Sequence, residues 1–219
     1  MPLVSPSIHA ADFLHLEDEV LVLERSSADM IHLDVMDGTM VPNISFGFPI
    51  IDAVRRVSSK PLDTHLMIVN PDRYFERFAS SGVDMLSFHL EAAARAGADC
   101  AVWLRKIKAL GMAAGLAINP DIPISTVFPY VGDADFILVM SVFAGYSGQQ
   151  LIPDTFGRVR ELKRHLLEKG SSCKIEIDGG VTPDNCRRLA ESGADILVSA
   201  SSVFGSDTPE AVIETLHCR

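Results

Sequence analysis

The stretch His32-Leu33-Asp34-Val35-Met36-Asp37-Gly38 decides how the chain is read. Alternate residues of an extended strand share a face, so His32, Asp34 and Met36 point one way. An imidazole and a carboxylate facing one interior are either a costly buried pair or the start of a metal site. Working outward, Asp63-Thr64-His65-Leu66-Met67 repeats the arrangement, with His65 and Met67 on one face. Glu176-Ile177-Asp178-Gly179-Gly180 then supplies another carboxylate at a strand end. Three segments far apart in sequence thus each end an apolar run with a residue able to ligate a metal.

Short apolar runs alternate with longer amphipathic ones along the whole chain. The sequence predicts strands at Leu3–Ser7, Met30–Val35, Leu62–Met67, Met85–His89, Ala113–Ile118, Phe136–Ser141, Lys174–Asp178 and Ile196–Ser199. Helices are predicted between them at Leu14–Arg25, Pro49–Val57, Asp72–Ser81, Ala98–Leu110, Ile122–Tyr130, Thr155–Glu168, Pro183–Ser192 and Pro209–His217. Asp72, Asp184 and Pro209 suit first helical turns, and Gly82, Gly111, Gly170 and Gly193 suit left-handed caps. The phrase Ser-Gly-Val-Asp at 81–84 recurs as Ala-Gly-Ala-Asp at 96–99 and Ser-Gly-Ala-Asp at 192–195. Eight β units, each followed by a helix, give an α/β fold: one (β/α)8 TIM barrel of parallel strands spanning residues 1–219 as a single domain. No GxGxxG follows the first strand, which argues against an open dinucleotide-binding sheet.

In such a barrel the active site lies at the carboxyl ends of the strands. His32, Asp34, His65 and Asp178 all fall there, offering two imidazoles and two carboxylates to one divalent cation of the Zn, Fe, Mn or Co type. Taken singly, a strand-end histidine reads equally as a satisfied core residue, and Asp34 or Asp178 as a loop or helix cap. Ala144-Gly145-Tyr146-Ser147-Gly148, Gly179-Gly180 and Ser201-Ser202 follow the sixth, seventh and eighth strands. Backbone amides in such loops can cradle a phosphate. Met36, Met67 and Met140 face inward by parity, either as core filling or as a water-poor pocket wall. Glu176 shares parity with Asp178, as its support or as a paired group inside the barrel.

The net charge of −10 over 219 residues argues against a nucleic-acid partner. An anionic substrate must then be captured locally. The 47% hydrophobic and 22% charged residues fit a soluble globular protein. Four cysteines without paired spacing suit a reducing compartment. No run is long and apolar enough to span a bilayer. The expectation is a cytoplasmic protein with no membrane partner.

The phrases Ser5-Pro6-Ser7-Ile8, His32 to Gly38, Val41-Pro42-Asn43, Leu62 to Met67 and Glu176 to Val181 resemble the ribulose-phosphate 3-epimerase family, in order over essentially the whole chain. The resemblance implies one divalent metal held by His32, Asp34, His65 and Asp178, with Asp34 and Asp178 as the acid/base pair. It places Ser7 and His65 at the substrate, and Gly145, Tyr146, Ser147, Gly148, Gly179, Gly180 and Ser201 around its phosphate. The implied reaction inverts C3 of D-ribulose 5-phosphate to D-xylulose 5-phosphate through an enediolate, in the pentose phosphate pathway, by a homo-oligomeric enzyme. The alternatives are an epimerase of another ketose phosphate, such as D-allulose 6-phosphate, and a non-catalytic sugar-phosphate-binding barrel. A metal-free lyase or decarboxylase on a similar barrel would carry a lysine where this chain has Met36.

The chain departs from the family in three places. Phe143-Ala144-Gly145-Tyr146-Ser147-Gly148 stands where Asn-Pro-Gly-Phe-Gly-Gly is usual, and Ser199-Ala200-Ser201 where Ala-Gly-Ser is usual. His9 replaces a leucine. The two loop changes fall on the expected substrate and phosphate side, not on the metal side, and His9 lies near the entrance. The Cβ of Ala200 adds bulk where the phosphate is expected to meet backbone amides.

Overall fold

Apolar residues at every second position of each strand need a cover of helices, and the alternate positions need a common interior. In a computed structural model, which describes residues 1–218, eight parallel strands meet both needs. They are β1 Leu3–Pro6, β2 Ile31–Met36, β3 Leu62–Met67, β4 Met85–His89, β5 Ala113–Ile118, β6 Phe136–Met140, β7 Lys174–Asp178 and β8 Ile196–Ser199. The sheet runs β1-β8-β7-β6-β5-β4-β3-β2. Its two edges are joined by one parallel bridge between Ser7 and His32, which nearly closes the barrel. Relative to expectation, β1 and β6 stop one residue early and β2 is shifted forward by one.

The helices are α1 Leu16–Arg25, α2 Phe48–Val57, α3 Phe75–Ser80, α4 Leu90–Ala96, α5 Cys100–Ala109, α6 Thr155–Lys169, α7 Cys186–Ser192, α8 Ser201–Phe204 and α9 Pro209–Leu216. Several differ from the predicted spans. The predicted start at Leu14 and the predicted helix from Asp72 each break into a 3-10 turn (Phe13–His15, Pro71–Arg73) followed by α1 or α3. The helix expected at Ile122–Tyr130 is a 3-10 segment, Ile124–Tyr130, because Pro123 and Pro129 lack the N–H groups an α-helix needs. The helix expected from Pro183 begins at Cys186. Asp184 therefore lies outside it, in a turn where Asn185 Oδ1 accepts from Thr182 N at 3.0 Å. The span predicted from Ala98 begins at Cys100, capped by the Asp99 carboxylate on Ala101 N (2.9 Å). The sequence reading did not anticipate α4 or α8.

At the amino end of the barrel, four aspartates extend the ladder by one residue each. Asp29, Asp84, Asp135 and Asp195 each precede an even-numbered strand. Each donates its own N–H to a carbonyl of the preceding strand and accepts the N–H of that same residue on Oδ2. The residues clamped are Val4, Leu62, Ala114 and Ile175, with carboxylate contacts of 2.8, 2.8, 2.8 and 2.9 Å. The recurring phrases at 81–84 and 192–195 are thus strand clamps, whereas the one at 96–99 supplies the cap of α5.

The interior is divided. On β5 and β6 it is apolar: Ala117, Phe136, Leu138 and Met140 pack together. Gly115 faces the Phe136 ring so closely that a Cβ there would lie 2.3 Å from it, so glycine is required. On β1 to β4 and β7 the interior is polar, with Ser5, His32, Asp63, His65, Ser87, His89 and Glu176 all fully buried. Outward residues such as Leu33, Leu66, Phe88, Ile137 and Ile177 form the main core against the helices. Among the described residues no helix is long and apolar enough to cross a membrane.

Candidate active site

Parity and register assemble the polar half of the interior into one centre. Asp34 and His65 stand opposite each other in the β2–β3 ladder, and Asp178 ends β7. His32, Asp34, His65 and Asp178 each offer one ligand atom within 4.8 Å of all the others. Asp34 Oδ1 lies 3.4 Å from His32 Nε2 and 3.3 Å from His65 Nδ1, and Asp178 Oδ2 lies 3.6 Å from His65 Nδ1. A tetrahedral cation with bonds of about 2.0–2.2 Å separates its ligands by roughly 3.3–3.6 Å, so these spacings fit. His32 Nε2 also has no hydrogen-bond partner although it is buried. The donor set of nitrogen and carboxylate oxygen suits a divalent transition-metal ion.

His32 is oriented from below. Its Nδ1 lies 2.6 Å from Asp63 Oδ2, which also accepts from Ser5 Oγ at 3.0 Å. A carboxylate can only accept, so Nδ1 carries the proton and Nε2 turns its lone pair to the centre. Asp34 is oriented from the side: Ser7 Oγ donates to its Oδ2 at 2.5 Å, leaving Oδ1 for the centre.

The electrostatics match this geometry. Burial works against a charged His32, but the carboxylates of Asp63 and Asp34 outweigh it and hold its pKa well above the ordinary histidine value. Burial likewise opposes protonation of His65, while hydrogen bonds to Asp178 and Asp34 raise it. Asp34, despite burial, is kept well below the usual carboxylate range by His32 and His65. Glu176 is pushed well upward by burial and by the neighbouring Asp63. These groups form an interior already arranged to hold positive charge.

Above the centre lies a cavity of about 500 Å³ at the carboxyl end of the barrel. Asp34 and Asp178 form part of its floor, and Met36, Met67 and Met140 line it together with Gly145, Tyr146, Ser147, Gly148, Gly179, Gly180 and Ser201. Ser7, His32 and His65 do not reach its wall and lie buried beneath. His9 and Ala200, two of the departures from the family, are on the wall. The loop after β6 is fastened across the mouth: Asn43 Nδ2 donates to Gly145 O (2.7 Å) and the Tyr146 hydroxyl to Pro42 O (2.8 Å). Gly180, at φ +63°, packs under it. A Cβ there would meet Leu151 N at 2.5 Å, so this glycine serves loop packing as well as access to backbone amides.

The sequence reading missed five residues here. Asp63 shares its face with His65, and that parity was a usable signal. His89 ends β4 and Glu91 follows in α4; a histidine on a strand, as in β2 and β3, was another usable signal. Nothing local marks Asn119 at the end of β5, or Arg188, an exposed cation on the cavity wall whose guanidinium stacks 3.8 Å from the Phe156 ring centre.

The sequence and the fold also resemble known proteins. The profile of the ribulose-phosphate 3 epimerase family matches residues 3–204. The chain is 42% identical over 213 residues to the ribulose-phosphate 3-epimerase of Bacillus subtilis, covering 96% of each. It is 41% identical over 203 residues to that of Synechocystis sp., covering 93% of this chain and 87% of the relative. Among solved structures, a mutant tryptophan synthase α-subunit from Pyrococcus furiosus matches with a TM-score of 0.70 at 17% identity, over 99% of this chain and 98% of the other. That last likeness concerns the fold alone.

Proposed function

The chain belongs to the ribulose-phosphate 3-epimerase family, and from that premise we propose that it is a cation-dependent isomerase that inverts C3 of D-ribulose 5-phosphate to give D-xylulose 5-phosphate. The observation that carries this reading is the pair Asp34 and Asp178. They come from separate strands, share one ligand centre, and both open onto one cavity.

Inverting a carbon beside a carbonyl requires removing a weakly acidic proton and returning one on the opposite face. Two carboxylates flanking the carbon do this without turning the substrate: one takes the proton, the other donates. Loss of the proton leaves an enediolate. A divalent cation held by His32, Asp34, His65 and Asp178 supplies positive charge against the negative charge that builds on its oxygens. Asp34, kept ionised by its histidine neighbours and steadied by Ser7, is suited to act as a base. Met36, Met67 and Met140 keep the surroundings of the reacting carbon poor in water. Gly145, Tyr146, Ser147, Gly148, Gly179, Gly180 and Ser201 hold the phosphate end, mainly through backbone amides, because the net charge of −10 gives no general attraction for an anion. The reading includes a cytoplasmic, self-associating protein of the pentose phosphate pathway. Its four free cysteines fit the compartment, and exposed Leu14 and Ile44 offer apolar surface for self-association.

The test is ribulose 5-phosphate in deuterium oxide with the purified, cation-analysed protein. Deuterium at C3 of both epimers, dependent on a bound divalent ion, is expected. Epimer formation without solvent deuterium would remove the two-carboxylate scheme. Because His9, Ala200 and the 143–148 loop lie on the cavity wall, D-allulose 6-phosphate is the competitor to run beside it.

A further inference from the structure

The two histidines of the centre are supported differently. His32 rests directly on a carboxylate, Asp63, whereas His65 has another imidazole behind it. His65 Nε2 lies 2.8 Å from His89 Nε2, with both rings fully buried, their centroids 4.9 Å apart and their planes 26° from parallel, so the two nitrogens meet edge to edge. One proton must lie between these two nitrogens, since two lone pairs or two N–H groups facing at that distance repel.

The rest of the string says which nitrogen carries it. His89 Nδ1 and Glu91 Oε2 face each other at 3.5 Å, and neither has a hydrogen-bond partner elsewhere. The other oxygen, Oε1, accepts from Asn119 Nδ2 at 2.7 Å and from Asn119 N at 3.2 Å. The carbonyl of Asn119 is in turn held by Arg158 Nη2 at 2.9 Å, from a guanidinium that is itself buried. A carboxylate fixed in this way can only accept. His89 therefore carries its proton on Nδ1, its Nε2 accepts, and His65 must donate through Nε2. The remaining nitrogen of His65, Nδ1, is the atom that faces Asp34 and Asp178.

We propose that His89 and Glu91, anchored by Asn119, are positioning residues that set the tautomer and ring orientation of His65, so that its Nδ1 lone pair points into the cation site. The inference rests on the reading of His65 as a cation ligand. It assigns work to a strand end, β4, that contributes no ligand of its own. Supports of this kind change metal affinity by roughly 10–100-fold when removed.

The experiment compares Co2+ and Zn2+ dissociation constants of the full chain with those of His89→Phe and Glu91→Leu by chelator competition. The visible absorption of the Co2+ protein and the melting temperature are recorded alongside. The expected result is a 10–100-fold loss of affinity in His89→Phe, a smaller loss of several-fold in Glu91→Leu, and a shifted Co2+ band in both. Nitrogen NMR of the Zn2+ protein gives an independent reading that needs no variant: His65 should carry its proton on Nε2 and His89 on Nδ1. Affinities and spectra unchanged in the variants, or the opposite protonation pattern, would overturn the proposal while leaving the cation site standing. If the unaltered chain bound neither ion, the cation reading itself would fall, and this inference with it.

Discussion

The two ends of the barrel use the same side chain for opposite purposes. At the amino end Asp29, Asp84, Asp135 and Asp195 each bond a backbone N–H of the neighbouring strand, and that contact fixes the carboxylate as part of the ladder. At the carboxyl end the ligand-facing oxygens, Oδ1 of Asp34 and Oδ2 of Asp178, meet no backbone donor and face imidazole nitrogens and the cavity. An aspartate at a strand end is therefore not informative by type. What separates structure from chemistry is whether the backbone has already claimed the oxygen.

The strongest way to break this contrast is Asp34→Asn or Asp178→Asn. Either should lower epimerase turnover by a factor on the order of 10² or more with little change in melting temperature, as steady-state assays and thermal denaturation would show. Normal turnover in either variant would erase the distinction between the two rims. A second large effect is in pH. Without a cation, His32 and His65 hold protons above the ordinary histidine range of about 6.5. Cation binding must expel those protons, so affinity should fall as pH falls, by up to about tenfold per unit for each proton displaced. The decline should already be visible between pH 8 and 7 in a Zn2+ competition series, and a flat profile there would count against the ligand set.

The opposite rim gives the complementary result. Asp195→Ala leaves the buried Ile175 N–H without its partner and should cost about 1–3 kcal/mol of stability. Turnover at a temperature where the protein stays folded should be unchanged, and a loss of activity without loss of stability would blur the comparison. The smallest effect is expected at Glu176, an interior acid beside His32 and Asp63 that clamps no strand-end N–H and lies outside the Asp34–Asp178 centre. Burial and Asp63 raise its pKa in the folded chain. Above the unfolded value of about 4.5 the unfolded chain releases this proton first, so stability declines as pH rises toward the folded value. Glu176→Gln removes that penalty. Its melting temperature should match or exceed the parent's, with the gap widening from pH 5 to 8.

Much of the fold was legible because strand ends carry their own marks. The strands at 62–67, 85–89, 113–118, 174–178 and 196–199 coincide with expectation, and polar residues at alternate positions of β2, β3 and β7 announced one centre. α4 and α8 leave no periodic signal because seven and four residues are too few for one. In the site, His32, Asp34, His65 and Asp178 could be read from strand parity. The backing residues were harder to place. That Asp63 supports His32 and not its own neighbour His65 follows from ring direction across two strands. That Asn119 steadies Glu91 depends on how β4 and β5 lie side by side. Neither relation has a local sequence signature.

Phe136, seated over Gly115, acts as a stopper. It makes the barrel a dead-end vessel, filled from the top and sealed lower down. The cavity onto which Asp34 and Asp178 open is walled in part by the loop tied down by Asn43 and Tyr146. Since His32 and His65 are buried and do not line the cavity, a cation held by them as proposed would sit below any sugar seated there and be covered by it.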